Sequence, residues 1–356
     1  MKAVTTPTHH RAPSRRQRKG FVLPLVIVAT LLVAALASAA QFAAWRATRA
    51  ARQAFNGERA LLGADESIAR TVANWNAESF AGSPIGSRIT AAVLTTAGEP
   101  VDVIVTRTAP LIAWIDVSAT SHRDGAPTRA HRRVGRALFA EPPPLPLNAA
   151  LVAITPVALR GTARISGIDS VTLNDECGPW RDTTSIAGLY SSVHHIDSTV
   201  VIAGVPSIAT PVDPPRDVTA FNDAWQRITA RAVHRQTTTN APLPNEPPWR
   251  ALVLHDTTTI QLAGASRHDG LVAFDGNLVL RGTLTVRGLM IVRGAVDATA
   301  GQLDINGALV IYAPTGATSR FGNNATVRYS QCALRRALAA VARPDPHPFR
   351  VWSERD

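Results

Sequence analysis

The spacing of apolar residues follows three successive periods along the chain. Phe21 to Ala40 is a run of 20 residues without a charge, long enough to cross a hydrocarbon layer as a helix. A helical pattern continues past it, with Phe42, Trp45 and Phe55 set among Arg46, Arg49 and Arg52. Asn56-Gly57 is the expected break. Leu61, Leu62, Ile68, Val72 and Trp75 then recur at about 3.6-residue spacing until Gly82-Ser83-Pro84 stops the helix.

Between 88 and 142 the period drops to two. RITAAVLTTAG, VDVIVTRTAP, LIAWIDVSATS and TRAHRRVGRALFAE alternate apolar and polar residues, and Gly-Glu-Pro, Ala-Pro and Asp-Gly-Ala-Pro separate them. Such segments form an antiparallel meander, which would pack on the second half of the helix. Pro142-Pro143-Pro144-Leu145-Pro146 is a stiff connector and marks a domain boundary.

The third period is set by glycine. Gly270, Gly276, Gly282, Gly288 and Gly294 recur every six residues, and Gly301 and Gly307 follow at seven and six. Each interval is a five-residue strand whose second and fourth positions are apolar: Val272 and Phe274, Leu278 and Leu280, Leu284 and Val286, Met290 and Val292, Val296 and Ala298, Leu303 and Ile305, Leu309 and Ile311. Strand alternation sends these inward and the first, third and fifth positions to water, while glycine at each corner admits φ values that other residues resist. Three six-residue sides make a coil that sets Val272 beneath Met290, Phe274 beneath Val292 and Leu278 beneath Val296. The pattern is similar to a short parallel β-solenoid of the bactofilin or hexapeptide kind. Tight antiparallel hairpins are the other reading of the same spacing.

LRGTARISGIDSVTL carries the same pattern, with Gly161 and Gly167 six apart and Ile165 inward. It is expected to supply the first coil. Residues 176–250 then become a Pro-, Thr- and Asp-rich insertion with one helical piece, VTAFNDAWQRITARAV. In RYSQCALRRALAAV, Ser330 is the expected N-cap of a short helix closing the open end of the stack. The fold class is α+β: a long N-terminal helix with a small antiparallel sheet, then a short parallel β-solenoid, mainly β. The expected segments are a basic leader (1–20), the helix (21–76), the sheet (77–142), the solenoid (143–342, insertion 176–250) and a C-terminal tail (343–356).

At 356 residues and 46% hydrophobic content the chain can fill two cores and is not a disordered protein. Its net charge is +11, but Lys2, Arg11, Arg15, Arg16, Arg18 and Lys19 precede the apolar run without an acid among them, and +5 remains beyond them. That bias holds the leader in the cytoplasm and places the rest outside. The other arginines are scattered and aromatics make up 5%, so no nucleic-acid partner is expected. Cys177 and Cys332 are the two cysteines, and in an oxidising envelope compartment an even pair favours a disulfide. Closing that loop would stabilise by roughly 5 kcal/mol in the chain-entropy model. Two unrelated buried thiols are the alternative.

The junction of the basic leader with Gly20-Phe21 and the apolar run resembles the prepilin signal of type IV pilins and type II secretion pseudopilins. The resemblance implies cleavage between Gly20 and Phe21 by a prepilin peptidase and methylation of Phe21. It also implies a subunit held in the inner membrane, then packed against other pilin or pseudopilin subunits through its helix. Most pilins carry Glu at the fifth mature position, and Leu25 stands there, which points to minor subunits of the PilX or GspK type. The order SGIDS, Cys177, the glycine repeat and YSQCALRRAL also looks like that of PilX-type assembly proteins. Two other readings of the N-terminus stay open. Ala37-Ser38-Ala39 before Ala40 fits a secretory signal peptide, and an uncleaved anchor would make the chain a single-pass envelope scaffold or adhesin.

No catalytic set stands out. GxSxG with partners, HExxH and a phosphate loop are missing from the sequence, so an enzyme is not expected, nor a cofactor or a metal. His194-His195 with Asp197 is a polar loop pair, since adjacent strand residues face opposite ways. Asp175-Glu176 beside Cys177 is thin for calcium. Asp269, Asp275, Asp297 and Asp304 bring to mind polysaccharide-cleaving β-helices, but their spacing assigns them to separate faces. Arg281, Arg287 and Arg293 are likewise expected on different corners.

Overall fold

A computed structural model describes residues 22–94, 100–121, 130–145, 147–170, 185–212, 214–236, 241–244 and 246–355. The chain opens with helix α1 (Val22–Ala73), whose 52 residues extend about 78 Å. It runs through Asn56-Gly57 without the expected break. Both residues are buried against the sheet, and the Arg132 guanidinium rests where a side chain at 57 would be, so this glycine serves close approach. A short α2 (Ala77–Gly82) follows, capped by Asn76, whose side-chain oxygen accepts from the Ser79 N–H at 2.9 Å.

The four alternating segments are strands β1 (Arg88–Leu94), β2 (Pro100–Ala109), β3 (Ile112–Ser121) and β4 (Ala130–Glu141), paired antiparallel in that order. Buried and half-exposed residues alternate along the whole of β3, as one covered face requires. The covering element is α1, whose small Ala60, Gly63, Ala64 and Ser67, with Ile68, lie buried against β3 and β4. Arg107 of β2 is 1% exposed, and its guanidinium donates to the Ala81 carbonyl at 2.8 Å, the Ser83 carbonyl at 2.5 Å and the Pro110 carbonyl at 2.9 Å. It thereby holds the end of α2 against the β2–β3 turn.

The rest is a parallel solenoid, not a set of hairpins: every strand pair in it is parallel. The first coil is β5 (Ala149–Ala153), β6 (Val157–Leu159) and β7 (Arg164–Ser166), and the second is β8 (Ala187–Ser191), β9 (His194–Ile196) and β10 (Val201–Ala203), with β11 (Ile208–Ala209) begun above it. Helix α3 (Pro214–Thr229) leads to β12 (Val233–Gln236) at the opposite end. The stack then grows back through β13 (Arg250–Leu262), β14 (Ala265–Leu280), β15 (Thr283–Arg293), β16 (Val296–Ala298), β17 (Gln302–Ile311), β18 (Ser319–Phe321) and β19 (Ala325–Tyr329). The ladder matches the glycine reading: Val272 registers on Met290, Phe274 on Val292 and Leu278 on Val296, each 0–1% exposed.

Beyond the unbroken α1, four expectations need correction. First, the coil at 149–166 does not begin the stack beneath β13. It docks on the last coil, β17 on β5, β18 on β6 and β19 on β7, so both ends of the solenoid chain lie in the middle of the stack. Second, much of 176–250 is not an insertion, because β8 to β10 form a full coil and β12 a terminal rung. Third, α4 (Gln331–Ala339), capped by Ser330 as expected, covers a flank rather than an end, lying on β14, β15 and β17. Leu271, Ala273, Leu289, Ile291, Ala308 and Val310 point outward yet are 0% exposed, since α4 and α3 take the place of water. Fourth, the tail is strand β20 (Arg343–Arg355), antiparallel to β4. It completes a sheet of order β1-β2-β3-β4-β20, so the solenoid is inserted between two neighbouring strands of the small sheet.

Helix α3 runs along the stack rung by rung. Asp217 accepts from the Tyr190 hydroxyl of β8 at 2.6 Å, Phe221 meets Tyr312 beyond β17 at 5.2 Å, and Trp225 lies under Arg293 of β15 at 5.8 Å. Burial, then the Asp217 hydrogen bond, push the Tyr190 phenol up to about 12. The glycines divide into two kinds. Gly270, Gly276, Gly288 and Gly307 have φ of 138 to 149° and serve the turn. Gly282, Gly294 and Gly301 lack positive φ; at these three, and equally at Gly270, Gly288 and Gly307, the backbone of the rung below passes where a Cβ would sit.

Candidate functional site

The first two thirds of α1 carry an exposed apolar surface. Val22, Leu23, Leu25, Val26, Ile27, Val28, Leu31, Leu32, Val33 and Leu36 are 50–72% exposed, and this helix is long and apolar enough to cross a membrane. Its hydroxyl side chains are satisfied within the helix: Thr30 donates to the Val26 carbonyl at 3.0 Å, Ser38 to Ala34 at 2.8 Å and Thr48 to Ala44 at 2.8 Å. A hydroxyl bonded in this way adds no bare donor to a lipid-facing surface. Pro24 lies in the first turn of α1 as described, where no intrahelical partner is lost.

Beyond the apolar run, Arg46 stands over the Phe42 ring at 4.5 Å and Arg49 over the Trp45 ring at 5.4 Å. Aromatic rings paired with arginines one to two turns past a span of about 30 Å suit the headgroup level of a bilayer. From Asn56 onward the same helix is buried against the sheet. One element is thus bare for its first part and clamped for its second.

Of the residues singled out in the sequence, Gly20, Phe21 and Cys177 lie outside the described residues, as do Asp175 and Glu176. Cys332 is 9% exposed at the start of α4. The chain ahead of Cys177 is held beside it, since Ser170 donates its backbone N–H to the Tyr329 carbonyl at 2.8 Å and Asp169 accepts from Gln331 N–H at 3.1 Å. A bridge between the cysteines would therefore join neighbouring coils in mid-stack.

His195 stands 3.6 Å from Asp197 with 73% of its side chain exposed, a solvated pair. The four aspartates have local partners: Asp269 with Arg267, Asp275 with His255 and Arg293, Asp297 with Thr299, Asp304 with Arg328. The Thr299 hydroxyl, opposed by partial burial, holds Asp297 below the usual carboxylate range. Asp269 and Asp304 do share a face, contrary to expectation, in a shallow groove of about 270 Å³ with Arg267, Arg287 and Arg328. Their columns meet because β14, β15 and β17 are in register there. Arg281, Arg287 and Arg293 do separate: Arg287 lies over Trp249 at 5.3 Å and Arg293 over Trp225, while Arg281 is exposed.

Three arrangements were not read from the sequence: the Arg107 clamp, the Trp249 ring between Arg287 and Arg336, and a contact of His234 with His255. The last two join residues about one coil or more apart, and that period was the available signal. A cleft of about 770 Å³ lies where the α1–α2 turn meets Arg231, Ala340 and Arg343. Among the described residues, no three His, Cys, Asp or Glu converge as a metal site.

No family model matches the sequence, and no curated protein matches it. Among solved structures, the competence-associated pilin ComZ from Thermus thermophilus aligns over 85% of this chain and 98% of its own, with 10% identity and a TM-score of 0.30. A likeness at that level is below what shows a shared fold.

Proposed function

We propose that the chain is a minor pilin or pseudopilin-like subunit of a type IV pilus or type II secretion-like filament, with a structural rather than a catalytic role. The carrying observation is α1 itself, bare over 22–55, apolar over 22–40, and buried on one face against a sheet from Asn56 onward. A helix of that kind is first an inner-membrane anchor, with the N-terminus cytoplasmic, and then a surface by which subunits pack. The leader would be removed between Gly20 and Phe21 by a prepilin peptidase. The solenoid, held to the small sheet at both of its chain ends, would stand out as rigid bulk. Such bulk suits a tip or assembly position better than a repeated one.

The test is the mass of the mature N-terminus in a strain with and without prepilin peptidase. Loss of residues 1–20 only when the enzyme is present supports the reading. Mature chains beginning at Ala40 would remove it. A second reading, an uncleaved anchor that makes the chain a single-pass envelope scaffold or adhesin, rests on the same exposed apolar helix and predicts a chain that keeps its leader in both strains.

A further inference from the structure

At the terminal rung of the solenoid two imidazoles face each other. His234 of β12 places Nδ1 2.6 Å from Nε2 of His255 on β13. The ring planes differ by 5° with centroids 4.9 Å apart, so the rings lie edge to edge in nearly one plane, nitrogen to nitrogen. Their outer nitrogens have partners that only accept. His234 Nε2 is 2.5 Å from the Thr229 carbonyl at the end of α3, and His255 Nδ1 is 3.3 Å from a carboxylate oxygen of Asp275. Each outer nitrogen must therefore carry its proton, and in the neutral rings both inner nitrogens present lone pairs to each other. That contact is stable only with a cation between them.

A proton can supply that cation, and so can a metal. Histidine ligands commonly donate their far N–H to a carboxylate or a backbone carbonyl, which fixes the tautomer and aims the free nitrogen at the ion. Asp275 and the Thr229 carbonyl stand in those two places. We propose that His234 and His255 form a two-imidazole site for a borderline divalent cation of the Zn²⁺ class, with water completing the coordination. Tetrahedral Zn–N bonds of about 2.0–2.1 Å set the nitrogens roughly 3.3 Å apart with their lone pairs converging at about 109°, so loading needs an opening of under 1 Å together with a tilt of each ring by about 35° from the present head-on line. His234 is exposed and the His255 side chain is 37% exposed, leaving room for water. Arg293, 3.4 Å from Asp275, opposes a cation but is already engaged by that carboxylate and Trp225. Imidazole donors favour Zn²⁺, Cu²⁺ or Ni²⁺ over Mg²⁺ or Ca²⁺. The bound ion would fasten the terminal rung to the next and displace the shared proton.

The test is calorimetric titration of Zn²⁺ into the full-length protein in detergent. One equivalent should bind with proton release, and Mg²⁺ should give no such event. His234→Gln and His255→Gln should each abolish it, Asp275→Asn should weaken it about ten- to a hundredfold, and His194→Gln/His195→Gln should leave it unchanged. X-ray absorption of the loaded native protein, which needs no variant to fold, should count two imidazole ligands. No Zn²⁺ binding by the native chain, binding that survives both single histidine changes, or fewer than two imidazoles at the ion would each overturn the proposal.

Discussion

The small antiparallel sheet and the α4-covered flank of the solenoid use similar apolar residues to opposite effect. In β3, Ala113, Ile115, Val117 and Ala119 are buried while Trp114, Asp116 and Ser118 take the other face. In β14, β15 and β17 five consecutive residues are buried, such as Gly288-Leu289-Met290-Ile291-Val292. The sheet is covered once, by α1. The flank is covered twice, by the solenoid interior and by α3 and α4. Parallel strands between two layers lose their alternation, so the difference locates the helices as much as it describes the strands.

The sharpest way to break this comparison is a charge on an outward position of each region. Ile291→Asp, outward but 0% exposed, should abolish cooperative unfolding of the solenoid in thermal denaturation, since an unpaired buried carboxylate costs several kcal/mol. Thr106→Asp, outward on the sheet, should stay within about 0.5 kcal/mol. Equal effects would mean that α4 does not cover the flank. The next largest effect belongs to the sheet: Arg107→Ala leaves the Ala81, Ser83 and Pro110 carbonyls without their donor and should cost roughly 2–4 kcal/mol in urea unfolding.

A smaller effect separates the regions by pH. His268 of β14 is buried, which lowers its pKa below the ordinary 6.5, although the Arg250 and Leu271 carbonyls partly compensate. A lowered histidine resists protonation in the folded state, so its contribution is intact above about pH 6.5 and falls as pH drops below it, by at most about 1.4 kcal/mol per unit. Solenoid stability should decline on acidification through that window, and His268→Gln should flatten the decline. The smallest expected effect is that of Ser330→Ala, which removes the α4 cap and should cost about 1 kcal/mol, read as a shift of the urea midpoint.

The parts legible in the sequence are those set by near neighbours. The 18-residue step from Val272 to Met290 is written in glycine spacing, and β1 to β4 in alternation. The runs Leu271 to Phe274, Leu289 to Val292 and Ala308 to Ile311 also announced a doubly covered flank, but the six-residue rule masked them. Stacking order was not legible, because which coil docks on β7 depends on matching surfaces from β19, about 160 residues away in the chain. The same holds for β20, whose partner β4 lies some 200 residues back. In the candidate site, the bare stretch of α1 was plain from hydropathy. Its clamped stretch was misread as a break at Asn56-Gly57, since a glycine for close packing and a glycine for a helix end look alike in one dimension.

Because the chain enters and leaves the solenoid at mid-stack, neither outermost rung carries a loose terminus. Tension applied between α1 and the distal mass therefore has no thread to pull from either tip. It must pass through β4 and β20 side by side, where many backbone bonds share the load, and the body is dragged as one block instead of unravelling turn by turn.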